Sequence, residues 1–106
     1  MTKTYRVEIT SSAEQDIRSI RAYIARDKPA AAVKWVQVIQ KQARSLSRYP
    51  DRHGTIPEAD DLGVEYREII HGVYRTLYRI DGERVVVIRV IHSAQLLDRG
   101  LLENLH

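Results

Sequence analysis

Three short apolar segments separated by two tight turns, residues 64–92 (VEYREIIHGVYRTLYRIDGERVVVIRVIH), constrain this chain more than any other feature. Val64–Ile70, Val73–Ile80 and Arg84–Ile91 are rich in Val, Ile, Tyr and Leu, which suit a pleated, half-buried surface. Asp81-Gly82 offers the positive φ angles of a two-residue hairpin turn, and His71-Gly72 is a weaker version of the same signal. The pattern predicts a three-stranded antiparallel meander in which Ile70 pairs with Val73 and Ile80 with Glu83. Side chains alternate along a strand. One face then carries Arg67, Tyr74, Thr76, Tyr78, Val85, Val87, Arg89 and Ile91; the other carries Glu68, Arg75, Leu77, Arg79, Val86, Ile88, Val90 and His92. Neither face is polar, so both need cover.

The upstream sequence can supply one cover. Thr4–Thr10 alternates as a half-buried strand. Ser11 and Glu14 then have capping-box spacing, and Ala13, Ile17, Ile20 and Ile24 line one face of a helix. Pro29 suits the first position of a second helix, which runs to about Ser47 with Ala32, Val36, Ile39, Ala43 and Leu46 as its stripe and Trp35 in the core. Tyr49-Pro50 ends it. Residues 50–63 form the one long irregular stretch, with an acidic cluster at Glu58, Asp60 and Asp61. A tail after His92 allows a short amphipathic helix through Leu96, Leu97, Leu101 and Leu102. The expected fold is α+β, in the order β-α-α-β-β-β, with a helical hairpin packed on one face of a small, mainly antiparallel sheet. The second face awaits the tail or a partner, and a partner is favoured because apolar surface rimmed by arginine marks an interaction site.

Length and composition set the outer bounds. With 106 residues the chain is expected to be a single domain, 1–106. The absence of cysteine removes disulfides and thiolate metal sites, and the four histidines lack ligand spacing, so no metal or cofactor is expected. No apolar run is long enough for a bilayer, and the N-terminus lacks a signal-like segment, so a cytoplasmic protein is expected. The net charge of +3 suits nucleic acid or an acidic protein without choosing between them.

The strand order, the phrase YPDRHGTIPE and the ordered set Arg67, Tyr74-Arg75, Tyr78-Arg79-Ile80-Asp81 and a Val/Ile-rich strand ending at His92 together resemble the RelE/ParE superfamily of type II toxin–antitoxin toxins. The resemblance covers nearly the whole chain. It implies a toxin of a plasmid-stabilisation type of module, held in a hetero-oligomer by a cognate antitoxin. Arg67, Tyr74, Arg75, Tyr78, Arg79, Arg89, Leu96 and Leu97 are the candidates for binding antitoxin or target.

The superfamily divides between ParE-like inhibitors of DNA gyrase and RelE-like endonucleases that cut messenger RNA on the ribosome. Metal-free RNA cleavage needs a base, an acid and cations on the phosphate. Arg67 matches the strand arginine of RelE-like members, and His92 falls where a histidine ends the last strand. However, no lysine follows Lys41 and no tyrosine follows Tyr78, so the usual lysines and terminal acid are missing. A nuclease would have to use Arg67, His92, His53 and Glu65, with Arg52 in place of a lysine. The ParE-like reading is therefore favoured, with the RelE-like nuclease and a non-toxic antitoxin-binding module as alternatives. Plainer roles exist for the same residues: Arg67 in an ion pair with Glu65 or Glu68, Arg75, Arg79 and Arg89 as cross-strand partners of Glu68 and Glu83, and Tyr74, Tyr78 and His92 as packing groups.

Overall fold

A computed structural model describes residues 3–56 and 65–93. The elements are β1 (Arg6–Ile9), α1 (Ser11–Ala25), α2 (Pro29–Ser45), a 3-10 turn (Pro50–Arg52), β2 (Arg67–His71), β3 (Tyr74–Asp81) and β4 (Arg84–His92). The sheet order is β1-β4-β3-β2, with β1 parallel to β4 and the other pairs antiparallel. The α+β layering, the meander and the helical hairpin thus agree with the sequence pattern. The expected tail helix with Leu96 and Leu97, and the acidic cluster, lie outside the described residues.

Both hairpin loops sit one residue later than expected. His71 pairs with Tyr74 and Asp81 with Arg84, leaving Gly72-Val73 and Gly82-Glu83 as the loops. Gly72 (φ 58°) and Gly82 (φ 61°) are the first central residues, where a type II′ turn requires positive φ. The displacement changes each register by two residues, so the faces survive it.

A bulge in β4 does change them. Leu77 pairs with Arg89 but Tyr78 pairs with Val87, so Ile88 is the extra residue. Beyond it the faces exchange: Val90 turns toward the helices, packing with Trp35 and Ile39, and Arg89 and Ile91 leave the face on which strict alternation had placed them.

Helix α1 starts one residue earlier than the Ser11 cap expected. Thr10 is the N-cap; its hydroxyl oxygen accepts from Ala13 N (3.1 Å) and its O–H donates to the carbonyl of the bulged Ile88 (2.9 Å). Asp16, one turn on, accepts from Val90 N (2.9 Å). The first turns of α1 therefore satisfy the Ile88 carbonyl and the Val90 N–H, on the part of β4 beyond its last pairing with β1, Ile9 with Val87. Pro29 opens α2 as expected, and α2 ends at Ser45, two residues short of Ser47.

The core under the helices joins Ala13 and Leu46 to Tyr78, Val85 and Val87, with Trp35, Ile39 and Val90 forming a second cluster. The second sheet face is not bare, contrary to the expectation of a partner-ready surface: Leu77, Val86 and Ile88 are all buried. Central strands that are apolar on both sides gain about 1.5–3 kcal/mol for each such side chain covered. The exposed apolar residues on the sheet are Ile9 at one edge and Ile70 and Val73 at the β2–β3 turn.

Candidate functional site

Two places collect the residues singled out by sequence. The first lies where the chain leaves α2. Tyr49 adopts a left-handed conformation (φ 50°), and Pro50 then opens the 3-10 turn. Arg52 folds back: its Nη1 donates to the carbonyls of Arg48 (2.8 Å) and Ser45 (3.5 Å), among the last carbonyls of α2 and the turn after it. Arg67, entering β2, donates from Nη1 to the carbonyls of His53 (2.5 Å) and Asp51 (3.1 Å), and its Nη2 lies 3.5 Å from Glu65. Tyr78, opposite Arg67 on β3, donates its O–H to the Pro50 carbonyl. Bonds from Ile56 N to Tyr66 O (2.8 Å) and from Glu68 N to Gly54 O (3.1 Å) fasten the segment to the edge of β2.

Arg67, His53 and Glu65 thus come together, joined by Arg52 and Tyr78. The His53 ring meets Tyr78 edge-on (6.2 Å), and its buried Nε2 has no hydrogen-bond partner among the described residues. Burial lowers the His53 pKa, and the charges of Arg52 and Arg67 lower it further, so the ring is neutral near pH 7. Burial pushes the Tyr78 hydroxyl up to about 12 against the smaller opposing pull of Arg67 and Arg52. A general acid works best with a pKa near the operating pH. Tyr78 is a poor match, and its proton is already donated to a backbone carbonyl.

His92 stands elsewhere. It pairs with Tyr74 across β3 and β4, whereas Arg67 pairs with Tyr78. Four residues of strand separate the two positions, roughly 13 Å at about 3.3 Å per residue. The His92 ring packs against Tyr74 (5.7 Å), which in turn meets Trp35 (5.3 Å). The Tyr74 and His92 rings border a groove of about 510 Å³ between α1 and the ends of β3 and β4, with exposed Tyr23 and Val73 at its rim.

The remaining candidates are ion-paired. Arg75 reaches Glu68 (3.1 Å), one of the cross-strand pairs expected. Arg79 pairs with Asp81 (3.1 Å) at the turn, not with Glu68 or Glu83. Arg89 grips Asp16 on α1 with two bonds, 2.6 and 2.9 Å, and not the expected Glu68 or Glu83. Sequence reasoning missed Asp16 and Thr10. Asp16 had a signal, since a carboxylate beside the buried stripe of Ala13, Ile17 and Ile20 must find a partner or stay wet. No group of three or more His, Asp or Glu residues able to hold a metal occurs among the described residues. No described helix is long and apolar enough to cross a membrane.

Among known proteins, a family model described as the ParE toxin of the type II toxin–antitoxin system parDE matches residues 7–97. The chain resembles a chain of the chromosomal ParDE TA system from P. aeruginosa, with 20% identity and a TM-score of 0.68 over 84% of this chain and 96% of the other. It also resembles a chain of the toxin–antitoxin complex RelBE2 from Mycobacterium tuberculosis, with 30% identity and a TM-score of 0.56 over 90% and 98%. No curated protein sequence matches significantly.

Proposed function

The chain belongs to the ParE toxin family of type II toxin–antitoxin systems, and on that premise we propose that it inhibits DNA gyrase by binding, in the cytoplasm, until a cognate antitoxin neutralises it. The observation that supports binding over chemistry is the separation of His92 from the other acid–base candidates. His92 is about 13 Å along the sheet from Arg67. Arg67 Nη1 and the Tyr78 hydroxyl hold backbone carbonyls in place. His53, Glu65 and Arg67 act in this reading as a clasp that shapes the crossover, not as a proton relay.

The antitoxin forms a hetero-oligomer with the toxin and uses the groove beside Tyr74, where Tyr23 and Val73 are exposed. Arg75 and Tyr78, also candidates for contact, are buried in the chain.

The RelE-like alternative draws on the meeting of Arg67, His53 and Glu65, and a paired assay separates the readings. Purified toxin, freed of antitoxin, is tested on DNA supercoiling by gyrase and on messenger RNA held by programmed ribosomes. The expected result is inhibited supercoiling with intact RNA, and Arg67→Ala or His92→Ala retaining part of the inhibition. Cut RNA with untouched gyrase would overturn the proposal, more so if either substitution lowered cutting about a hundredfold. Silence in both arms would leave an antitoxin-binding module.

A further inference from the structure

Between Asp27 and Asp51 the chain has no acidic residue, yet it carries Lys28, Lys34, Lys41, Arg44 and Arg48. Helix α2 occupies most of this stretch. At about 100° per residue, Lys34, Lys41 and Arg44 fall within an arc of roughly 80° opposite the buried residues Trp35, Ile39 and Ala43. All three are exposed, as is Arg48 just beyond the helix. Exposed Gln37 and Gln40 lie among them. None of these cations has a carboxylate partner among the described residues, in contrast to the arginines of β2, β3 and β4.

We propose that this face of α2 is a docking surface for the phosphate backbone of duplex DNA. An extended file of unpaired cations with no interspersed carboxylate complements a polyanion. A protein partner fits less well: on α2 itself the one aromatic residue is the buried Trp35, the exposed Tyr49 follows only after Arg48, and interface cores favour aromatic anchors and disfavour lysine. Single-stranded nucleic acid fits less well because it is held by stacking on successive exposed rings, and α2 presents none, with Tyr49 alone beyond its end. A duplex needs no stacking ring, since its phosphates are met by charge. The B-form major groove also admits an α-helix, whereas that of A-form RNA is deep and narrow. The inference concerns this chain alone and does not depend on gyrase being the target.

Four phosphate contacts through Lys34, Lys41, Arg44 and Arg48 predict a log–log salt slope of about −3.6, a loss on the order of a hundredfold in affinity between 50 and 200 mM salt. The test is fluorescence anisotropy of the full chain, free of antitoxin, with a labelled 20-base-pair DNA duplex of arbitrary sequence. Lys34→Gln/Lys41→Gln/Arg44→Gln should flatten the slope by about three units. A charge-matched control, Arg18→Gln/Arg21→Gln/Arg26→Gln, should flatten it by less than one. Equal losses in the two variants would show a response to net charge and overturn the site. A wild-type slope shallower than −2 would overturn it without any variant. Duplex RNA of the same length should bind at least tenfold more weakly, and equal binding would remove the assignment to DNA. Poly-glutamate that displaced DNA at equal charge concentration would make the surface one for an acidic protein instead.

Discussion

Every arginine on β2, β3 and β4 lies within ion-pair distance of a carboxylate, whereas Arg18, Arg21, Lys34, Lys41 and Arg44 on the two helices have no such partner among the described residues. Burial accounts for much of the difference. The side chains of Arg67, Arg75, Arg79 and Arg89 are 8–18% exposed. A charge withdrawn from water that far needs a counter-charge and hydrogen bonds. The cations of α2 keep their hydration, and a surface pair would add little. The arginines of the sheet are therefore part of the fold, whereas the cations of the helices stay in water.

The sharpest way to break this contrast is at Asp16, which holds Arg89 and Val90 N together. Asp16→Ala leaves a mostly buried guanidinium unpaired and should lower the unfolding free energy by about 3 kcal/mol in urea titration. Asp16→Asn, which keeps an acceptor for Val90 N, should recover part of that loss. A cost below about 1 kcal/mol for the alanine variant would place this pair with ordinary surface ion pairs.

Tyr78→Phe, which removes the donor to Pro50, should cost about 1–2 kcal/mol. It should also change the alkaline limb of stability. The folded chain holds the Tyr78 proton to about 12, above the value near 10 of an unfolded tyrosine. That contribution is complete below pH 10 and is lost as pH rises toward 12. Tyr66 is raised in the same direction by burial, so the phenylalanine variant should retain part of the loss. Tyrosinate absorbance recorded alongside unfolding checks both. Gly82→Ala imposes φ 61° on a residue with a Cβ and should cost about 1 kcal/mol in the same urea assay. At the small end, Lys34→Gln/Lys41→Gln should move stability by less than about 0.5 kcal/mol. A larger loss would mean that helix cations also hold the fold.

The meander, the hairpin of helices and the Pro29 start were legible because each rests on local chemistry: alternation, helical period and fixed proline geometry. The loops slipped by one residue because Asp-Gly and His-Gly show that a glycine is needed without showing which loop position it fills. The bulge at Ile88 was not legible. Residues 84–92 are a nearly continuous apolar run that carries no mark of an extra residue, and the bulge is held from far upstream, Ile88 by Thr10 and Val90 by Asp16. The same event explains the uneven reading of the site. Arg67, His53 and Glu65 converge through the crossover, while Arg89 and His92 lie beyond the bulge, where counting by twos fails.

The parallel pairing of β1 with β4 has a consequence for how the chain is made. Thr10 and Ile88, bonded in the finished protein, are 78 residues apart in sequence. Contacts so remote form slowly because a long loop must close before they return any stability. On the ribosome, the helical hairpin emerges early and waits with its apolar stripe uncovered until β4, an inner strand, can join β1 and β3. Assembly of the sheet therefore waits for β4, the last of its strands to be made. A chain cut short before Arg84 lacks the strand on which both halves of the sheet depend, so premature termination yields fragments unable to fold into a toxin.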